Sequence, residues 1–293
     1  MSLYFPAHPA STREDRRVEM DLRLENIQSS ELPLLMGIMN ITPDSFYDGG
    51  EYNRTEAALS RARNLVEAGA DILDVGGEST RPGASPVGVE EEKKRVIPVV
   101  EALREAGIDR PVSVDTSRAE VARAALAAGA DWINDVWALR RDEEMAQVIA
   151  EASSPVVLMH MQGTPQTMQE NPTYENVVED ILAFFEERIE RAIRAGISFE
   201  KIILDPGVGF GKKLEHNREI LANIDRFSRL GAPVLVGHSR KSYLGDLLDR
   251  EKDQRLAGTL ATSGWLMESG VDILRVHDVR QHYDLKKVRK WVT

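Results

Sequence analysis

Apolar residues along the chain fall into eight short runs that finish on polar residues, separated by longer segments in which apolar positions recur with helical spacing. The runs are PLLMGIMNI (33–41), DILDVGG (71–77), PVSVDTS (111–117), DWINDVW (131–137), PVVLMHMQG (155–163), KIILDPGVG (201–209), PVLVGHSRKS (233–242) and VDILRVHD (271–278). Three of them share a longer pattern, EAGADILDVGG, AAGADWINDVW and ESGVDILRVHD, each a helix end near a Gly followed by a strand. The helix-period segments between strands include TEAALSRARNLVEAGA, EEEKKRVIPVVEALREAG, ENVVEDILAFFEERIERAIRAG and QRLAGTLATSGWLMESG, and VRQHYDLKKVRKWV closes the chain. Eight strands alternating with helices predict an α/β fold of the (β/α)8 TIM-barrel type. A doubly wound open sheet is the second reading, but it would more often carry a Gly fingerprint after the first strand, which this chain lacks.

Upstream, VEMDLRLENI sets Val18, Met20, Leu22 and Leu24 against Glu19, Asp21, Arg23 and Glu25. That alternation predicts a strand or hairpin plugging the N-terminal end of the barrel. The expected division is an extension over 1–32, tail plus hairpin, and a barrel over 33–293.

Charge narrows the function. With 37 basic and 48 acidic residues the formal net charge is -11, which argues against nucleic acid or an anionic membrane as partner. An anion site has to be a local basic cluster. There is no cysteine, which removes disulfides, thiolate catalysis and cysteine-ligated zinc and suits a reducing compartment. No apolar stretch is long enough for a membrane span and the N-terminus has no apolar signal core, so a soluble, cytoplasmic protein is expected.

Barrel enzymes carry their chemistry at the C-terminal ends of strands. Here those ends hold Asn40, Asp74, Asp115, Asn134, His160, Asp205, the Ser239-Arg240-Lys241-Ser242 run, Arg275 and His277. Carboxylates, an amide and a lysine suit a flat heterocycle with both donors and acceptors, because a carboxylate accepts two parallel N–H bonds. Arg275 and His277 lie two apart, so both project to one face of an extended strand, and two potential cations together suit a phosphate. NITPDSFYDGGEYNR (40–54) and GGESTRPGASPVGVE (76–90) are long for βα connections and read as lids, each with one stiff or bulky apolar residue, Phe46 and Pro82.

The segments MGIMNITPDSFYDGG, DILDVGGESTRPGA, VSVDTS, INDV, LMHMQGTPQTMQ, LDPGVGFGK, GHSRKS and LRVHD, in this order, resemble those of the dihydropteroate synthase family across nearly the whole barrel. The resemblance implies an alkyl transferase that joins p-aminobenzoate to 6-hydroxymethyl-7,8-dihydropterin pyrophosphate, releasing pyrophosphate. By the family's pattern, Asp205 would accept from the pterin's amino and ring N–H groups, Asp115 and Asn134 would meet its other edge, and Lys241 would donate to its ring oxygen and nitrogen. Phe210 would pack on the ring, with Met159 and Gly237 lining the pocket. Arg275, His277 and Arg81 would hold the pyrophosphate, with Asn40 near its Mg2+ and Asp44 or Asp48 joining when the first loop closes. Phe46, Pro82 and Ser242 would form the p-aminobenzoate pocket, and Thr80 would also bind substrate. The residues expected to act in the reaction itself are Phe46, Asp48, Arg81, Lys241, Arg275 and His277. The family also implies a homodimer through outer helices. Tyr47, Trp137 and His238 depart from the pattern and bear on pocket shape and lid detail.

Simpler readings stand beside these. Asp74 reads as orienting a loop or pairing with an arginine, His160 and His238 as satisfied core or rim residues, and Trp265 and Met267 as core or subunit interface. GVGFGKK has neither dinucleotide nor Walker spacing, and EERIERAIR reads as a solvated face. Competing functions are methyl transfer from a methyltetrahydrofolate, a Schiff-base aldolase using Lys241, and a non-catalytic pterin-binding protein.

Overall fold

Parallel strands and helices alternate in a computed structural model that describes residues 33–41, 51–78 and 87–292, apart from the side chains of 51–54. The extension over 1–32 and the loop residues Asp44, Phe46, Tyr47, Asp48, Thr80, Arg81 and Pro82 lie outside the described residues. The strands are β1 (Leu34–Asn40), β2 (Ile72–Gly76), β3 (Val112–Asp115), β4 (Trp132–Asp135), β5 (Val156–Met159), β6 (Ile202–Asp205), β7 (Leu235–Gly237) and β8 (Ile273–Val276). The helices are α1 (Glu51–Glu67), α2 (Val89–Glu105), α3 (Ala119–Ala127), α4 (Met145–Ala152), α5 (Val177–Arg194), α6 (Leu214–Ala222), α7 (Ser242–Leu248), α8 (Leu256–Glu268) and α9 (Val279–Val292). Every described pairing is parallel, in the order β6-β5-β4-β3-β2-β1-β8-β7. The ring closes between β6 and β7 through the parallel bridge Leu204–Val234, with Leu204 N–H donating to Pro233 O at 2.9 Å. This is the (β/α)8 TIM barrel expected from the pattern.

The three similar segments have a common structural cause. Gly69, Gly129 and Gly270 take φ of 100°, 106° and 83°, the left-handed backbone that ends a helix and turns the chain toward the next strand. Two residues on, a carboxylate accepts the backbone N–H of a neighbouring strand: Asp71 from Leu35, Asp131 from Val112 and Asp272 from Val234, each at 2.8 Å. The repeat therefore staples the N-terminal rim of the barrel.

Side chains alternate across each strand. Leu35, Leu73, Val114, Ile133, Leu158, Leu204, Val236 and Leu274 point outward and pack under the helices. Leu34, Met36, Ile72, Trp132, Val157, Ile203, Leu235 and Ile273 point inward and fill a separate apolar layer. Two residues further along the same face, apolar side chains give way to polar ones. Among the described residues no helix is long and apolar enough to cross a membrane.

Three details bear on the expectations. Of the two places expected for these residues, core or subunit interface, the core holds for Met267, which is fully buried, and not for Trp265, which is 53% exposed with its indole N–H donating to Leu221 O at 2.8 Å. Arg188, within EERIERAIR, is buried rather than solvated because its guanidinium lies over the Phe184 ring, 5.9 Å from the centroid. A separate short helix, α7, follows β7, which the apolar spacing alone did not distinguish from the strand-end loop.

Candidate active site

The inward positions at the C-terminal ends are Asn40 on β1, Asp74 and Gly76 on β2, Asp115 on β3, Asn134 on β4, Met159 on β5, Asp205 on β6, Gly237 on β7 and Arg275 on β8. Their meeting follows from register. Asn40 pairs with Gly76, Gly76 with Asp115 and Asp115 with Asn134, while Met159 pairs with Asp205 and Gly237 with Arg275. Sequence-distant residues thus form one ring.

Arg275 is the ring's central cation. Its Nε donates to Asp74 Oδ2 at 2.6 Å and its Nη2 to Asp115 Oδ2 at 2.9 Å, and Asn134 Nδ2 reaches the same Asp74 oxygen at 3.4 Å. Burial disfavours the Arg275 charge, but Asp74 and Asp115 outweigh that and raise its pKa. Burial raises the pKa of Asp115 against the opposing field of Arg275, and burial also raises that of Asp205, opposed by the Gly207 N–H that donates to it at 2.8 Å and by Lys241. Burial lowers the pKa of Lys241, with Asp205 working against the shift. A β-carbon on Gly237 would stand 3.7 Å from Asp205 Oδ2 and 3.8 Å from Arg275 Cδ, so only a small residue keeps that space open.

The loop after β6 supplies a ledge. The Lys241 ammonium stands 3.6 Å from the Phe210 ring centroid, a cation–π contact. Phe210 packs with Val136, Met159, Met161 and Met168, and Trp137 flanks them. Lys212, 3% exposed, fixes this ledge: its Nζ donates to Phe210 O at 2.8 Å and His160 O at 3.3 Å and meets His160 Nδ1 at 3.0 Å. Burial lowers the Lys212 pKa, opposed by the charge of Asp205. Gly207 has φ of 67°, and a β-carbon there would stand 2.0 Å from His160 O, so the β5 and β6 loops close on each other only through glycine.

At the β7–β8 end, Ser239 Oγ accepts from His277 N–H at 3.3 Å and lies 3.0 Å from His277 Nδ1. The hydroxyl can donate to Nδ1, which puts the ring proton on Nε2. Burial and then Arg275 push the His277 pKa down to about 3, which favours a neutral ring over the potential second cation of the sequence. Arg240 grips Asp278 through Nε at 2.8 Å and Nη2 at 2.6 Å while holding a φ of 57°. Behind this turn, His238 Nε2 and His282 Nε2 lie 2.7 Å and 2.9 Å from Ser263 Oγ, and His282 Nδ1 lies 2.7 Å from Asp278 O. His238 is thus a satisfied core residue, as is His160.

Ser242 opens α7 and is exposed. Sequence reasoning left out Lys212 and Asp135, whereas Asp74 pairs with an arginine as one of its expected readings had it. Asp135 Oδ1 and Oδ2 accept from Trp137 N–H at 2.9 Å and Leu139 N–H at 2.6 Å, bracing Ala138 and Leu139 at φ of 50° and 62°. The consecutive basic pair in FGKK and the carboxylate ahead of VWAL were the available signals. Trp137 carries Arg140 and Arg141, 5.9 Å and 5.8 Å from its ring, which accounts for the larger side chain there.

A TIM barrel with buried carboxylates, an amide and a lysine around an aromatic ledge is arranged to take a flat heterocycle with mixed donors and acceptors. The family model for "Pterin binding enzyme" matches residues 36–277, and the chain belongs to that family. Within it, the relatives are dihydropteroate synthases. The chain is 47% identical over 257 residues to the dihydropteroate synthase of Haemophilus influenzae, covering 88% of this chain and 93% of that one. The structure of Yersinia pestis dihydropteroate synthase in complex with a sulfonamide drug is similar with a TM-score of 0.84 at 45% identity, covering 89% of this chain and 94% of that one. The Xanthomonas albilineans enzyme with 4-aminobenzoic acid gives 0.83 at 48% identity, covering 89% and 93%.

Proposed function

We propose that the chain condenses 6-hydroxymethyl-7,8-dihydropterin pyrophosphate with p-aminobenzoate to give 7,8-dihydropteroate and pyrophosphate, the step that assembles the folate skeleton. The observation that carries this reading is the ring of Asp115, Asn134, Asp205 and Lys241 beside Phe210, with Arg275 bound within the same ring. Asp205 and Asp115 accept the pterin's N–H groups, Asn134 meets the same edge as Asp115, and Lys241 donates to the ring while Phe210, Met159 and Gly237 fill the pocket. Charge-assisted bonds of this kind contribute about 1.5–3 kcal/mol each.

Arg275 and the Nε2–H of His277 stabilise negative charge as pyrophosphate departs. The electron-rich dihydropterin delocalises the positive charge left on its CH2 group, and the aromatic amine then attacks without a strong general base. Lys241, over Phe210, is held against the ring and orients it. Arg81, Phe46, Asp48, Thr80 and Pro82 belong to this reading as loop residues that complete the pyrophosphate and p-aminobenzoate sites, with Ser242 at the start of α7.

Magnesium fits the residues present. Asn40 ends β1 with its Oδ1 3.9 Å from the position a β-carbon on Gly76 would take, and an ion bound chiefly through phosphate oxygens and water needs no more than such a single neutral ligand. When bound, Mg2+ supplies charge neutralisation to the leaving pyrophosphate. The outer helices expose Leu247, Trp265 and Trp291, surface suited to a second copy of the chain. The cysteine-free sequence suits the cytosol.

The test is an assay with dihydropterin pyrophosphate, p-aminobenzoate and Mg2+, following pyrophosphate release and identifying dihydropteroate by mass. Product that requires all three components supports the reading. Pterin binding without product would favour a non-catalytic binder.

A further inference from the structure

Asp74 lies in the polar ring on the inner face of β2, with no exposed surface. Its register partners are Ile38 on β1 and Ser113 on β3, below the level of Asp115, which pairs with Gly76 and Asn134. A ligand entering from the mouth meets Asp115 before it could reach Asp74. Yet Asp74 Oδ2 takes three contacts: Arg275 Nε at 2.6 Å, Arg275 Nη2 at 2.6 Å and Asn134 Nδ2 at 3.4 Å. Asp74 Oδ1 is buried and has no partner among the described residues, so Arg275 and Asn134 account for the carboxylate's bonding.

We infer that Asp74 is a positioning residue for the reaction: it grips one edge of Arg275, so that the guanidinium stays aimed at the pyrophosphate when the pterin takes Asp115. This rests on the proposed reaction. Arg275 is shared between two carboxylates, Asp115 accepting from its Nη2 at 2.9 Å. Pterin N–H groups arriving at Asp115 compete for the same oxygen lone pairs. A guanidinium held by Asp115 alone would have to choose between blocking the pterin and losing its counter-charge. Asp74 removes that conflict, because it is out of the ligand's reach and keeps one edge of the fork fixed while the remaining N–H groups turn to phosphate.

Asp74→Asn keeps the shape and an acceptor oxygen but removes the charge. It is expected to raise the KM for dihydropterin pyrophosphate at least tenfold while leaving the KM for p-aminobenzoate within about twofold. Arg275→Lys removes the two-bond grip from the other side, keeps a cation at the site and is expected to show the same selective rise. The double variant should then be no worse than the poorer single one. Calorimetric titration with inorganic pyrophosphate and Mg2+ should show the same order of affinities, wild type well above both variants. An Asp74→Asn enzyme with unchanged KM, or with both substrates weakened alike, would overturn the inference. If Asp74→Asn fails to fold, Arg275→Lys decides: an unchanged KM for the pterin substrate means the grip on Asp74 has no part in aiming the cation. Wild-type protein that makes no dihydropteroate would instead sink the proposed reaction, and the pyrophosphate titration would still decide the Arg275 aim.

Discussion

Two layers of the barrel interior, a single pleat apart on the same strands, have opposite chemistry. Ile72, Trp132, Val157, Ile203, Leu235 and Ile273 form a closed apolar floor. Two residues further along lie Asp74, Asn134, Met159, Asp205, Gly237 and Arg275. The floor is held by non-directional burial, worth about 25 cal/mol per Å2, and accepts side chains of similar shape. In the ring above, the carboxylates Asp74, Asp115 and Asp205 stand against the cations Arg275, Lys241 and Lys212, and directed contacts hold Arg275 to Asp74 and Asp115, Asp205 to the Gly207 N–H and Lys212 to Phe210 O. The floor is tuned for stability and the ring for chemistry, and the two respond to different perturbations.

The comparison breaks most sharply at the ring's cations. Lys241→Ala and Arg275→Ala are each expected to lower turnover at least a hundredfold, about 2.7 kcal/mol of transition-state stabilisation, with an unchanged far-ultraviolet circular dichroism spectrum. A near-normal rate in either would remove the roles given to them. Next in size, Lys212→Met strips donors from Phe210 O and His160 O, and the pterin KM should rise about tenfold with little change for p-aminobenzoate, read from steady-state kinetics. One pleat below Asp205, Ile203→Val should cost about 1 kcal/mol in urea denaturation and leave both KM values alone. Altered kinetics there would mean that the layers are not separable.

Stability against pH offers a separate test, away from both layers. Burial, with His282 beside it, pushes the His238 pKa down to about 3, so the folded state keeps this ring neutral. The stabilisation from a neutral His238 is complete above the unfolded value of about 6.5 and is lost as pH falls from there toward 3. His238→Met should flatten the stability-versus-pH curve in that acid window by up to about 1.4 kcal/mol per pH unit, measured by urea unfolding at several pH values. An unaltered slope would mean that His238 already accepts a proton in the folded protein.

Much of the barrel was legible from periodicity alone. The eight runs and the junction repeat match the eight strands, because a strand buried on both faces must be apolar until it reaches the mouth and a polar residue there stands out. Asp115, Asn134, Asp205 and Arg275 were found in this way, and the motif order gave their chemical meaning. Lys212, in a loop and next to a second lysine, carried no periodic signal that it points inward between His160 and Phe210. His277 was read as a cation because its charge depends on burial and on Arg275, neither of which is local in sequence.

By itself the sequence determined which positions are strand, which polar residues close them, and the order of motifs that marks the family, since these depend on neighbouring residues. Only the tertiary structure decided how distant charges are shared. Arg275 meets Asp74 across 201 positions and Asp115 across 160, and closure of the ring decides whether those carboxylates face ligand or one another. Electrostatic pairing acts through space at a few ångströms, so the state of each buried charge was set when the barrel closed.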